Sequence, residues 1–104
     1  MTQQATRLVI VTEKVLAKPI AAIIESHEAG GYTLIAAGGT GSHNTRSSGE
    51  PSVLDHFGNI KIEVITANAE LAIKIADAVS SQYAADYACI IYMDPVEVLY
   101  AHHL

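Results

Sequence analysis

Apolar residues fall along the chain in two alternating rhythms. Arg7 to Thr12 (RLVIVT) is a short β-branched run, apolar enough to be buried on both faces and too short for a helix, so it reads as a central strand. Beyond it Val15, Leu16, Ile20, Ile23, Ile24 and His27 recur at helical spacing, and Gly30-Gly31 supplies the stop. Pro19 is tolerated only in a first helical turn, which places the helix from about Lys18 to Ala29, after a turn over Glu13 to Ala17. Tyr32 to Ala37 (YTLIAA) is a second strand, and Ile60 to Thr66 (IKIEVIT) a third whose isoleucines and valine alternate with Lys61 and Glu63. Asn68 is placed to cap a second helix over Ala69 to Tyr83, with Leu71, Ile75, Val79 and Tyr83 on one stripe. Tyr87 to Met93 (YACIIYM) reads as a fourth strand, and Val96 to Tyr100 as a short fifth after an Asp94-Pro95 turn.

The order is β-α-β, a long interruption, then β-α-β. VIVT with its isoleucine-bearing helix is echoed by EVIT and ELAIKIADAV, which suggests a doubled unit. Two such halves match the ferredoxin-like βαββαβ sandwich, an α+β fold with an antiparallel sheet and both helices on one face. Ala36, Ile62, Val64, Ile91 and Val98 supply apolar side chains for both faces of that sheet. The face without helices then needs a cover, and symmetric self-association provides it.

With 104 residues, half of them hydrophobic, the chain forms one domain, 1–104. A domain of that size buries roughly two-thirds of its unfolded surface, enough for a core without staples. The single cysteine, Cys89, excludes an intrachain disulfide and is expected to be an inert core or interface residue in a reducing, cytoplasmic setting. No stretch is long and apolar enough to insert in a membrane, and MTQQATR is too polar for a secretory signal. A formal charge of -5 leaves no broad cationic surface for nucleic acid, yet allows a small anion to be held locally.

The interruption is the place for such an anion. GGTGSHNTRSSGEPS, Gly38 to Ser52, carries glycines at 38, 39, 41 and 49, hydroxyls at 40, 42, 45, 47 and 48, and one guanidinium at Arg46. Glycines let backbone N–H groups approach a phosphate, and arginine offers paired donors. It is neither a Walker loop, lacking Gly-Lys-Ser/Thr, nor a dinucleotide fingerprint, since no helix follows. A solvated loop without a ligand fits the same composition. The histidines at 27, 43, 56, 102 and 103 lack zinc spacing, His56 beside Asp55 reads as a loop pair, and Glu13, Glu63 and Asp94 read as strand-end carboxylates. No serine has an evident base, so neither a metal site nor an enzyme is indicated.

Taken together, LVIVTEKVL (8–16), GGYTLIAAGGTGSHNTRSSGEPSVLDHFGNIKIEVIT (30–66) and DYACIIYMDPVEVLYAH (86–102) resemble the PII-like signalling proteins of the inorganic-carbon branch, SbtB-like and carboxysome-associated. The resemblance implies a homotrimer with adenine nucleotides in three clefts between subunits and a long T-loop at about 38–57 that partners read. It implies phosphate contacts from Gly38, Gly39, Gly41, Ser42 and Arg46, and Ile65 beside the adenine. Backbone contacts would come from Asp86, Tyr87, Ala88, Cys89 and Ile90 of the neighbour. AMP or ADP, with cyclic AMP as a further candidate, would be ligands without a tightly bound cofactor. Bicarbonate would be a second ligand, and a membrane bicarbonate transporter or a carboxysome-linked protein the partner.

The departures from that pattern also carry expectations. His43 stands where SbtB-like relatives carry a second arginine. Tyr100 and His102 stand where nitrogen-type relatives carry phosphate-binding arginines, so ATP is expected to be a poor ligand. No tyrosine lies between Gly38 and Phe57, so uridylylation is not expected, and the cysteine-bearing terminal loop of many SbtB-like proteins is missing from this sequence. The competing expectation is a CutA-like metal-tolerance or scaffold trimer that senses no nucleotide.

Overall fold

A computed structural model of the chain describes residues 2–38 and 58–101. The chain runs β1 (Gln3–Glu13), a 3₁₀ turn (Lys14–Leu16), α1 (Ala17–Ser26), β2 (Thr33–Ala37), β3 (Asn59–Thr66), α2 (Ala69–Tyr83) and β4 (Cys89–Val98). The four strands form one antiparallel sheet in the order β2-β3-β1-β4, the ferredoxin-like arrangement.

Side-chain alternation decides the two faces. Thr6, Leu8, Ile10 and Thr12 of β1 stand opposite Thr66, Val64, Ile62 and Ile60 of β3, and this set faces the helices. Leu8, Ile10, Ile60, Ile62 and Val64 are buried there against Ile20 and Ile24 of α1 and Ala72, Ile75 and Val79 of α2. The 3.6-residue period of α2 and its cap set this packing: the Asn68 side chain accepts from the Leu71 N–H at 2.9 Å.

The first helix begins at Ala17, so Pro19 falls in its first turn as its missing N–H requires. It ends at Ser26 rather than Ala29, because the chain turns at Glu28 and Gly30, both with positive φ. His27 caps its end, its Nδ1 2.8 Å from the Ile23 carbonyl oxygen.

The expected Asp94-Pro95 turn and separate fifth strand do not form. β4 is continuous from Cys89 to Val98, with Pro95 opposite Thr6, and Tyr87 and Ala88 precede it. β4 lies at an edge of the sheet, where a residue without an N–H is accommodated. Opposite Arg7, Asp94 accepts two guanidinium bonds at 2.9 Å, from Nε at Oδ1 and from Nη2 at Oδ2, which ties β4 to β1 where a turn was expected.

The residues that give the sheet a second apolar face also differ from expectation. Pairing places Ala36, Ile62, Val64 and Ile91 on the helix side, leaving only Val98 of that set on the other. The open face instead carries Ala5, Val9, Val11, Ile35, Ile65, Ile90, Tyr92 and Val96. Ile35, Ile90 and Tyr92 are 48%, 64% and 46% exposed on it.

Candidate functional site

The candidate residues gather around one end of the sheet. Ala37 pairs with Asn59, so Gly38 leaves β2 where β3 begins, and Thr12 pairs with both Ile60 and Cys89, bringing the start of β4 to the same end. β1 ends between them. The Lys14 N–H donates to the Gly58 carbonyl at 2.8 Å, which fixes the point where the chain re-enters β3.

On the other side of β1 the turn before β4 is held by side chains. Thr12 Oγ1 donates to the Ala88 carbonyl at 2.7 Å, and Glu13 Oε2 accepts from the Ala88 N–H at 2.9 Å. The N–H groups of Asp86 and Tyr87 both donate to the Tyr83 carbonyl, at 3.1 and 3.0 Å, closing the end of α2. The Tyr83 and Tyr87 rings meet edge to face with centroids 6.1 Å apart. The donors of three consecutive turn residues are thus committed inside the protomer, and Ala88 presents its carbonyl already engaged on one side.

Gly38 is exposed just beyond β2, while Gly39, Gly41, Ser42 and Arg46 lie outside the described residues, as does His43. Asp86 is exposed, Tyr87, Ala88 and Cys89 are half-buried, and Ile90 stands on the open face. Ile65 is elsewhere: it pairs with Arg7 near the far end of β3, six residues from Asn59, which is about 20 Å along the strand. β2 and β4 are opposite edges, so three strand spacings put Gly38 about 14 Å from the Ala88 turn. One protomer therefore does not bring Gly38, Ile65 and the 86–90 turn together; a site that uses all three spans two copies of the chain.

Burial pushes the Cys89 thiol above its ordinary range, opposed by its hydrogen bond with Thr12. Cys89 is free, partly buried and packed against the hydrophobic core. The Arg7 guanidinium holds the Asp94 carboxyl below the usual carboxylate range, chiefly through their hydrogen bonds, and Arg7 is raised in turn. Among the described residues no group of three or more His, Cys, Asp or Glu side chains could hold a metal ion, and no helix is long and apolar enough to cross a membrane.

Thr12 and Glu13 are the residues that reading the sequence missed. A Thr-Glu pair ending a β-branched run looks like any strand terminus. What marks it is the nearly complete burial of a carboxylate, visible only once the turn at Ala88 is in place.

Residues 5–103 match the family model described as Nitrogen regulatory protein P-II. The chain is similar to a PII-like signaling protein from Thermus thermophilus, with 29% identity, a TM-score of 0.73, and 93% of this chain and 90% of that one covered. It shares its fold with CPII, a nitrogen regulatory PII-like protein from Thiomonas intermedia, in a structure bound to ADP, AMP and bicarbonate. There the TM-score is 0.76 at 16% identity, covering 98% of this chain and 100% of that one. CPII bound to ADP and bicarbonate superposes similarly, at a TM-score of 0.75 and 17% identity over 94% of this chain and 91% of that one.

Proposed function

This chain belongs to the nitrogen regulatory protein P-II family, and from that premise we propose that it is a regulator, not an enzyme, gated by adenine nucleotides. AMP or ADP binds in clefts between the subunits of a homotrimer, with cyclic AMP as a further candidate and bicarbonate as a second ligand. The T-loop at about 38–57 responds to occupancy, and a bicarbonate transporter or a carboxysome-linked partner in the cytoplasm reads it to control inorganic-carbon uptake.

One observation carries the shared cleft. Gly38, Ile65 and the 86–90 turn stand about 14 to 20 Å apart within a protomer, so only a neighbour can complete a site that uses them all. Ile35, Ile90 and Tyr92, exposed on the sheet face that no helix covers, give the copies a reason to associate. Because the N–H groups of Asp86, Tyr87 and Ala88 are committed inside the protomer, the phosphate donors of this site come chiefly from Gly38, Gly39, Gly41, Ser42 and Arg46. Asp86 to Ile90 supply carbonyls and shape. The ligands of CPII support the choice of nucleotide and bicarbonate.

A thermal-shift panel of AMP, ADP, ATP and cyclic AMP, each with and without bicarbonate, tests the reading. AMP or ADP is expected to raise the melting temperature more than ATP, since no arginine stands at Tyr100 or His102. A protein indifferent to all four would return the scaffold reading.

A further inference from the structure

The corner at the end of β1 does more than terminate a strand. Thr12, Glu13 and Lys14 are consecutive, and between them they hold two separate segments: the first two grip both backbone groups of Ala88, and the third takes the carbonyl of Gly58. Glu13 is 1% exposed. A carboxylate is sequestered from water only where donors meet it, and here it is aimed at the backbone of the 86–90 turn. That turn leads into an edge strand with one neighbour, where backbone order falls off toward the end unless something else supports it.

Both bonds are complementary in sign: the hydroxyl donates to the carbonyl while the carboxylate accepts from the N–H, so the peptide groups on either side of residue 88 are fixed in orientation. A single hydrogen bond would restrain position and leave the turn free to rotate. Neither side chain is offered to a ligand. A carboxylate free to face a nucleotide would repel its phosphates, whereas this one is directed to an N–H.

We infer that Thr12 and Glu13 are positioning residues of the nucleotide cleft: they preform the 86–90 wall against which the ligand docks, in fixed relation to Gly58, where the loop returns to the sheet. The inference rests on the nucleotide reading above and deepens it. Preforming a wall lowers the ordering cost of binding, so its loss appears in ligand affinity as well as in stability.

Thr12→Val keeps the shape of a buried side chain and removes the hydroxyl; Thr12→Ser keeps the hydroxyl and removes a buried methyl group. Glu13→Gln keeps an acceptor for the Ala88 N–H, and Glu13→Ala removes it. The experiment measures ADP affinity by calorimetry, melting temperature, and amide exchange at Ala88 in the full chain and all four variants. Thr12→Val is expected to exchange faster at Ala88, to melt lower, and to bind ADP about tenfold more weakly, since it leaves the Ala88 carbonyl without its donor. Thr12→Ser is expected to melt lower as well but to bind ADP like wild type, a separation of affinity from stability that a purely structural role does not produce. Glu13→Gln should restore what Glu13→Ala loses. Thr12→Val and Glu13→Ala binding ADP as tightly as wild type would overturn the positioning role alone. A wild-type protein that binds no adenine nucleotide would overturn the nucleotide reading instead.

Discussion

Replacing Ile35 with glutamate separates folding of the protomer from association. Ile35 is on β2, an edge strand, 48% exposed on the sheet face that no helix covers. Fully burying an isoleucine contributes roughly 1.5 to 3 kcal/mol, so the half still exposed is worth about 1 kcal/mol when a neighbour covers it. Three copies in a trimer bring that to about 3 kcal/mol, a change of about a hundredfold in the association constant. Desolvating the new carboxylate adds to the cost. Inside the protomer the substitution is mild, because residue 35 stands opposite Lys61 and a cross-strand ion pair contributes roughly 0.2 to 1 kcal/mol. Sedimentation velocity across a dilution series, with far-ultraviolet circular dichroism at each point, should show Ile35→Glu dissociating at concentrations where wild type remains trimeric, with an unchanged spectrum. A variant that stays trimeric to the same dilution would show that this face is not the one buried between copies.

Other expectations follow from single contacts. Asn68→Ala removes the cap on α2 and should cost about 1 kcal/mol in urea denaturation at fixed protomer concentration; no change would mean the Leu71 N–H finds another partner. Arg7 lowers the Asp94 pKa, so the pair adds stability above the unfolded carboxyl pKa of about 3.9 that is lost as pH falls through the folded value. An acid titration should therefore show Asp94→Asn less stable than wild type near neutral pH, with the difference closing toward low pH; a constant gap would remove the ion pair as its cause. Arg46→Ala is expected to weaken ADP binding roughly ten- to a hundredfold, with the trimer intact by sedimentation, the loss of a charge-assisted hydrogen bond of about 1.5 to 3 kcal/mol.

The fold was largely legible because its elements are strongly periodic. Ile60, Ile62 and Val64 alternate with Lys61, Glu63 and Ile65 in the sequence as they do in space, and Asn68 caps the helix it was expected to cap. Pro95 misled for a physical reason: Asp-Pro is turn chemistry in isolation, but on an edge strand the missing N–H is tolerated, and Arg7, 87 positions away, secures Asp94. The early end of α1 was hidden because Glu28 adopts positive φ without being glycine.

The candidate site was legible in kind more than in assembly. Gly38 and Asp86 to Ile90 could be picked out by resemblance, but nothing in the linear order says that Gly38 and Ile65 lie toward opposite ends of one sheet. The grip of Thr12 and Glu13 on Ala88 joins residues 75 and 76 positions apart, a separation at which local pattern carries no signal.

In the proposed regulator a nucleotide lies between protomers with its phosphates held by Arg46. A crystal grown with ADP is expected to show ADP in the cleft of a trimer, the Arg46 guanidinium on its phosphates, and Gly38 and the 86–90 turn meeting Ile65 across the protomer boundary. An empty cleft, or ADP bound within one protomer with Arg46 turned away, would contradict it.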